Sequence, residues 1–148
     1  MTDIKKVLTQ HKLWLDSNGE KGKQANLEGA NLQVYNLEGG NLEEANLIAA
    51  NLMGANLKGA NLKGAKLEVA DLTEAFLVNA TLNWAKLTGA ILEGAKLDKA
   101  DLLETNLTQS QTHPSRPHRH RPTRRQPHRR RPHRNQPERR HHKQGYHF

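Results

Sequence analysis

Residues 25–49 read ANLEG ANLQV YNLEG GNLEE ANLIA, and this five-residue pattern decides the fold. It continues to residue 109 as 17 consecutive units, each with leucine at its centre. The position two residues before that leucine is alanine in 14 units, and the exceptions are Tyr35, Gly40 and Thr105. A short repeat of fixed period is typical of a solenoid, in which successive units stack on one another.

The period of five excludes both a regular helix and a flat strand for this segment. Five residues of an α-helix rotate by about 500°, so the leucines would point in all directions around the axis. Side chains of a strand alternate between two faces, so an odd period would place alternate leucines on opposite sides. Each unit must therefore contain a turn of its own, and the chain must coil so that leucine stacks on leucine.

The Ala-(Asn or Asp)-Leu-x-x units resemble those of the pentapeptide-repeat family over residues 25–109. The resemblance implies an all-β solenoid, a right-handed quadrilateral β-helix in which four units form one square coil and leucine and alanine point inward. The 17 units then make just over four coils, about 20 Å long at ~4.8 Å per coil. Because residues 20 apart would stack, one interior column is predicted to contain Leu27, Leu47, Leu67, Leu87 and Leu107.

Residues 1–19 are predicted to form an α-helical cap, because an uncovered solenoid end invites aggregation. Thr2 or Asp3 can cap the start of this helix, and the Ser-Asn-Gly sequence at 17–19 is a stop signal. His11 and Trp14 are interpreted as residues that dock the helix on the first coil. The apolar stripe at helical spacing consists of Ile4, Val7, Leu8 and Leu15.

The chain has two parts of opposite charge. Residues 1–109 contain 11 Lys, no Arg and 14 acidic residues, whereas residues 110–148 contain 11 Arg, one Lys and one Glu. Few apolar residues and high charge predict that 110–148 are a disordered basic tail, after a cap at 1–19 and a β-helix at 20–109. Cysteine is absent, and neither a signal peptide nor a membrane span is recognisable, so a cytoplasmic location is expected.

The tail has its own period of five, with proline at positions 117, 122, 127, 132 and 137. One common coding of Ala-Asn-Leu-Thr-Gly is GCC AAC CTC ACC GGC, and reading from its third base gives Gln-Pro-His-Arg-Arg. Residues 126–130 are QPHRR. The hypothesis is therefore that the tail is repeat sequence translated in a shifted frame from about Ser110. The rival interpretation is a selected basic arm.

No catalytic, cofactor-binding or metal site is expected, and the protein is predicted not to be an enzyme. The repeats contain no His, Cys or Ser, and a filled leucine and alanine interior leaves no cavity for a substrate. Eight histidines lie in the tail, including His141 and His142, and dense histidine binds divalent metals weakly without a fixed geometry.

The predicted function is a rigid scaffold for protein–protein interaction, with a partner that the sequence does not name. The candidate interface comprises Phe76, Val78, Trp84 and Leu103, which occupy outward positions of the repeat. One alternative is nonspecific nucleic-acid binding through the arginine-rich tail. A second alternative, implied by the family, is a DNA-like binder of DNA gyrase, although the body is short and not strongly acidic. End-to-end self-association through an open coil is also expected.

Overall fold

One α-helix and a stack of five-residue units make up residues 3–112, which are the residues that the computed structural model describes. Helix α1 is Ile4–Asp16. From Asn26 onward, isolated parallel β-bridges join residues 20 apart, the first between Asn26 and Asn46 and the last between Ile91 and Gln111. This spacing confirms that four units complete one coil. Coils 1 to 4 are residues 25–44, 45–64, 65–84 and 85–104, and residues 105–112 begin a fifth.

The stacked units form four columns, which we call faces 1 to 4 in chain order. Faces 1, 2, 3 and 4 start with the units centred on Leu27, Leu32, Leu37 and Leu42, and each continues at steps of 20 residues. Within a unit we name the positions Ala, Asn and Leu after the commonest residue there. The two residues that follow are the first and second turn positions.

Every backbone N–H of unit 45–49, which has asparagine at its second position, is hydrogen-bonded. Four of its five N–H groups donate to backbone carbonyls at 2.7 to 3.0 Å, three of them in neighbouring coils and one across the preceding turn. The remaining N–H, of Ile48, donates to Oδ1 of Asn46 at 3.2 Å. The recurrent asparagine therefore supplies the acceptor that the backbone ladder lacks.

Asparagine also links the coils through its side chain. Nδ2 of Asn56 donates to Oδ1 of Asn36 at 3.1 Å and to Oε2 of Glu38 at 3.0 Å. The same arrangement joins Asn46 to Asn26 and Asn61 to Asn41, each at 3.1 Å. These amide ladders stop at the second coil because Lys66, Asp71, Phe76 and Thr81 occupy the Asn position of the third.

The core consists of the leucine and alanine positions. Leu47 and Leu67 are completely buried, and Leu27 and Leu87 are 1% exposed, so each of these four leucines removes nearly its whole side chain from water. A buried leucine contributes about 1.5–3 kcal/mol, which makes this column the main stabilising element. Tyr35 occupies an Ala position but lies in the first coil, where it is half-buried against the core next to an open cleft.

The second turn position has positive φ in all 17 units, with glycine in seven and other residues in ten. In each turn the N–H of the next Ala position donates to the Leu carbonyl, for example Ala30 to Leu27 at 3.0 Å. A turn closed in this way, with positive φ at its third residue alone, is a type II β-turn. Because this turn recurs every five residues, the chain changes direction once in each unit and closes one coil after four units.

Helix α1 packs on the first coil. Asp3 caps its start by accepting the N–H of Lys6 at 3.2 Å, and the helix ends at Asp16 with Ser17 as its C-cap. Ile4 is buried, and the stripe partners Val7 and Leu8 are half-buried against the core. Gly22 permits the close return of the chain, because a Cβ there would lie 2.2 Å from the carbonyl oxygen of Gln10.

The last coil is less well covered than the others. Leu107 is 39% exposed, which differs from the buried column predicted for face 1. Its stacking neighbour would be position 127, so nothing in the described part of the chain covers it. The backbone pairing continues to Gln111, two residues beyond the predicted end of the repeats. The predictions about the tail from residue 113 onward lie outside the described residues.

Candidate partner-binding surface

An indole ring on face 4 is held between two neighbouring coils. Trp84 lies at a second turn position with φ 58°, and it is 47% exposed. Its Nε1 donates to Oε2 of Glu104 in the next coil at 2.9 Å. On the opposite side, Nζ of Lys63 in the preceding coil lies 5.4 Å from the ring centroid, within the range of a cation–π contact. The ring orientation is therefore set by both coils.

The contacts of Lys63 extend this arrangement along the whole of face 4. Nζ of Lys63 lies 3.3 Å from Oε1 of Glu43, and Oε2 of Glu43 accepts Nδ2 of Asn61 at 3.2 Å. Glu43, Lys63, Trp84 and Glu104 thus form a continuous line through coils 1 to 4, which we call the face-4 ladder. It places one exposed aromatic ring in a fixed pose on a rigid backbone.

Leu103 lies beside the face-4 ladder and is 59% exposed. The N–H of Trp84 donates to its carbonyl at 3.0 Å, so the two residues are direct neighbours in adjacent coils. The N–H of Leu103 is shared between Oδ1 of Asn83 and Oδ1 of Asp101, each at 3.2 Å. This local network holds an apolar side chain outward next to the indole ring.

Face 3 carries a second aromatic ring with a similar lysine contact. Phe76 is 41% exposed, and Nζ of Lys58 lies 5.7 Å from its ring centroid. Val78 is half-buried in the same unit. The structure thus brings Trp84 and Leu103 together on face 4 and places Phe76 and Val78 on the preceding face. The four predicted interface residues therefore lie as two pairs on adjacent faces.

The lysine and glutamate partners of the ladder were missed by the sequence prediction of the interface. A signal was present, because Lys63 follows Glu43 by 20 positions and Glu104 follows Trp84 by 20. Given four units per coil, these spacings predict stacking of opposite charges and of an indole with a carboxylate. The prediction selected outward apolar residues only and did not consider their charged neighbours.

The one histidine among the described residues, His11, belongs to helix α1 and is fully buried. Nδ1 of His11 accepts the N–H of Ala25 at 3.1 Å, and its ring stacks on Trp14 with centroids 5.8 Å apart. Burial lowers the pKa of His11 below its ordinary value of 6.5, against weaker opposing effects of Glu43 and Glu44. This neutral imidazole docks the helix.

In residues 3–112, no three His, Cys, Asp or Glu side chains are grouped as metal ligands would be. Over the same range, no helix has both the length and the apolar character needed to cross a membrane.

Comparison with known families agrees with the five-residue geometry. A family model described as pentapeptide repeats matches in overlapping segments that together run from residue 36 to 110. The protein therefore belongs to the pentapeptide-repeat family. A comparison with curated proteins finds no match.

Solved structures with similar folds are also pentapeptide-repeat proteins. Rfr23 from the cyanobacterium Cyanothece 51142 is 39% identical, with a TM-score of 0.61, and the match covers 63% of each chain. A pentapeptide-repeat protein of the Arabidopsis thaliana thylakoid lumen is 32% identical, with a TM-score of 0.56, over 57% of this chain and 59% of that one. The matches thus span less than two thirds of these neighbours.

Proposed function

We propose that the protein is a non-enzymatic scaffold that binds a partner protein through face 4. Trp84 and Leu103 form the centre of this candidate interface, and Phe76 with Val78 on face 3 are a secondary part. The observation that carries the proposal is the exposed Trp84 ring, which is fixed by Lys63 on one side and by Glu104 on the other. Pre-oriented aromatic residues are the usual centres of binding energy in protein interfaces.

The backbone conformation of Trp84 supports this proposal. Its φ of 58° lies in the left-handed region, where a bulky side chain is strained by about 1–2 kcal/mol. Glycine occupies the equivalent position of the preceding coil at Gly64. Strained residues concentrate at functional sites, where the side chain they present matters more than local stability. Residues other than glycine adopt this conformation in ten of the 17 units, so the support comes from the large exposed aromatic ring that Trp84 presents here and not from the strain alone.

Site-specific photo-crosslinking in the native host tests the proposal. A benzoylphenylalanine placed at Leu103 is expected to give a discrete crosslinked species with one partner protein. Val34 is the matched control, because it is also apolar, lies on face 2 and is more exposed, at 75%. If Leu103 gives no crosslink, or if both positions give the same products, face 4 is not the interface.

The two alternative functions and the remaining expectations stay predictions. Binding by the arginine-rich tail predicts a salt-dependent DNA mobility shift that is lost when residues 110–148 are deleted. Gyrase binding predicts inhibition of DNA supercoiling. The cytoplasmic location and end-to-end self-association are part of our proposal, and the nucleotide sequence after Leu107 tests the shifted-frame origin of the tail.

A further inference from the structure

The charges of the repeats are distributed unevenly among the four faces. Face 4 has four acidic residues and one lysine, and face 2 has three acidic residues and no base. Face 1 has two of each sign, whereas face 3 has two acidic residues and three lysines. Faces 2 and 4 therefore each have a net charge of −3, and face 4 is the one that presents Trp84.

The acidic groups of face 4 surround its exposed apolar residues. Oε2 of Glu104 accepts the indole N–H of Trp84, and Oδ1 of Asp101 accepts the N–H of Leu103. Glu44 occupies the same turn position as Trp84, two coils before it. All three carboxylate residues are exposed. A partner that covers Trp84 and Leu103 must therefore bury or pair these carboxylates, and an unpaired buried charge is strongly unfavourable.

The contact of Lys63 indicates that the indole ring of Trp84 can bind a cationic group. In the isolated chain its ammonium group lies over the ring of Trp84 and is also paired with Glu43. The ring face thus already binds a cation that the protein itself provides. Lys63 would keep Glu43 as its partner if another cation took its place over the ring.

We propose that face 4 docks a basic segment of a partner protein, and this inference rests on the proposed function. An arginine or lysine of the segment lies on Trp84 in place of Lys63, and an aliphatic side chain packs on Leu103. Charge complementarity selects this occupant, because an acidic segment meets a face of net charge −3. A second copy that used the same face would meet the same repulsion.

Fluorescence anisotropy with two labelled peptides tests the proposal on the full-length chain. The first probe has six Arg-Leu repeats and the second has six Glu-Leu repeats. We expect the basic probe to bind, with an affinity that falls as salt is added, because exposed charges are screened. The acidic probe can pair with the 11 arginines of residues 110–148, so its binding is expected not to depend on Trp84. The Trp84→Ala substitution is expected to weaken that binding about tenfold, as for a central interface aromatic.

Two substitutions give effects of opposite sign. Lys63→Ala removes the competing cation and makes face 4 more acidic, so we expect binding of the basic probe to tighten about threefold. Glu104→Gln retains an acceptor for the indole N–H but removes a charge, so binding should weaken about threefold. An acidic partner would instead bind more weakly to the Lys63→Ala variant and more tightly to the Glu104→Gln variant. Each variant retains the tail, whose charge is therefore common to all measurements.

The lysine–aromatic pair on face 3 provides the matched control. Lys58→Ala removes an equivalent cation from above Phe76, but that face has a net charge of +1. We expect it to leave the binding of the basic probe unchanged. No binding of the basic probe, weaker binding of that probe by Lys63→Ala, or an equal change in Lys58→Ala would overturn the proposal. If the crosslinking experiment at Leu103 still gives a discrete product in that case, face 4 binds a partner protein that is not basic.

Discussion

At the second turn position, backbone strain and contacts between coils act on the same residue. A Cβ added to Gly54 would lie 3.2 Å from Cγ1 of Val34, and one added to Gly89 would lie 3.2 Å from Cγ1 of Val69. The side chain of one coil thus leans over a glycine of the next. Glycine in this column relieves the left-handed backbone and also leaves room for its neighbour.

The substitution Val34→Gly is expected to stabilise the protein. Val34 has a φ of 52°, where a β-branched residue is a conformational outlier, and it is 75% exposed, so little packing is lost. We expect a gain of roughly 0.5–1 kcal/mol in the free energy of unfolding, after the greater entropy of the unfolded glycine chain is included. Urea unfolding monitored by circular dichroism measures the change.

The reverse substitution at Gly59 is the control. A Cβ there meets nothing within 4 Å, although φ is 62°, so Gly59→Val introduces strain without a clash. It should destabilise the protein by about 1 kcal/mol or more. Unchanged urea midpoints for both substitutions would show that these turns tolerate any side chain.

Among the elements, helix α1 is joined to the first coil by one buried hydrogen bond, in addition to its apolar packing. Nδ1 of His11 accepts the N–H of Ala25, so the neutral imidazole carries its proton on Nε2. Protonation of Nδ1 would remove the acceptor and would place a charge in a site without solvent. The pKa of this group is lowered by burial, so the unfolded chain binds the proton more readily.

The stability of the capped solenoid should consequently fall as the pH drops below about 6.5. The unfolded state then binds more protons than the folded state, and the loss approaches ~1.4 kcal/mol per pH unit until the lowered pKa is reached. The His11→Asn substitution keeps a side-chain acceptor but does not titrate. Urea unfolding at pH 7.5 and 5.5 should show a smaller difference for this variant. The histidines of the tail are present in both proteins, so equal differences would exclude His11 as the cause.

The sequence predicts these elements to different extents. Helix α1 follows from local signals, because Asp3 is a good N-cap and the Ser-Asn-Gly stop lies at 17–19. The coil follows from the period of five, because a fixed period repeats the same turn. The bond between His11 and Ala25 spans 14 residues, and the ring contact of Lys63 depends on side-chain conformation. Neither is encoded in local periodicity, so each required the structure.

For the whole molecule, each coil is stabilised only by the coils next to it. Such stacks behave as one-dimensional arrays, in which stability is the sum of unit and interface terms. Burial along face 1 agrees with this view, since Leu67 has coils on both sides and Leu107 lies in the last described coil. Residues of the same type and at the same position of the unit should therefore contribute differently to stability when they lie in different coils.

Leucine-to-alanine substitutions along face 1 test this dependence on position. Leu67→Ala should reduce the free energy of unfolding by about 3–5 kcal/mol, because it leaves a cavity inside a completely buried column. Leu107→Ala should cost about 1 kcal/mol, because that side chain is 39% exposed. If Leu67→Ala does not fold, Leu67→Val gives a milder measurement, with an expected loss of about 1 kcal/mol or more. Equal losses at the two positions in urea unfolding would mean that Leu107 is buried in solution, by a further coil or by a second molecule on the open end.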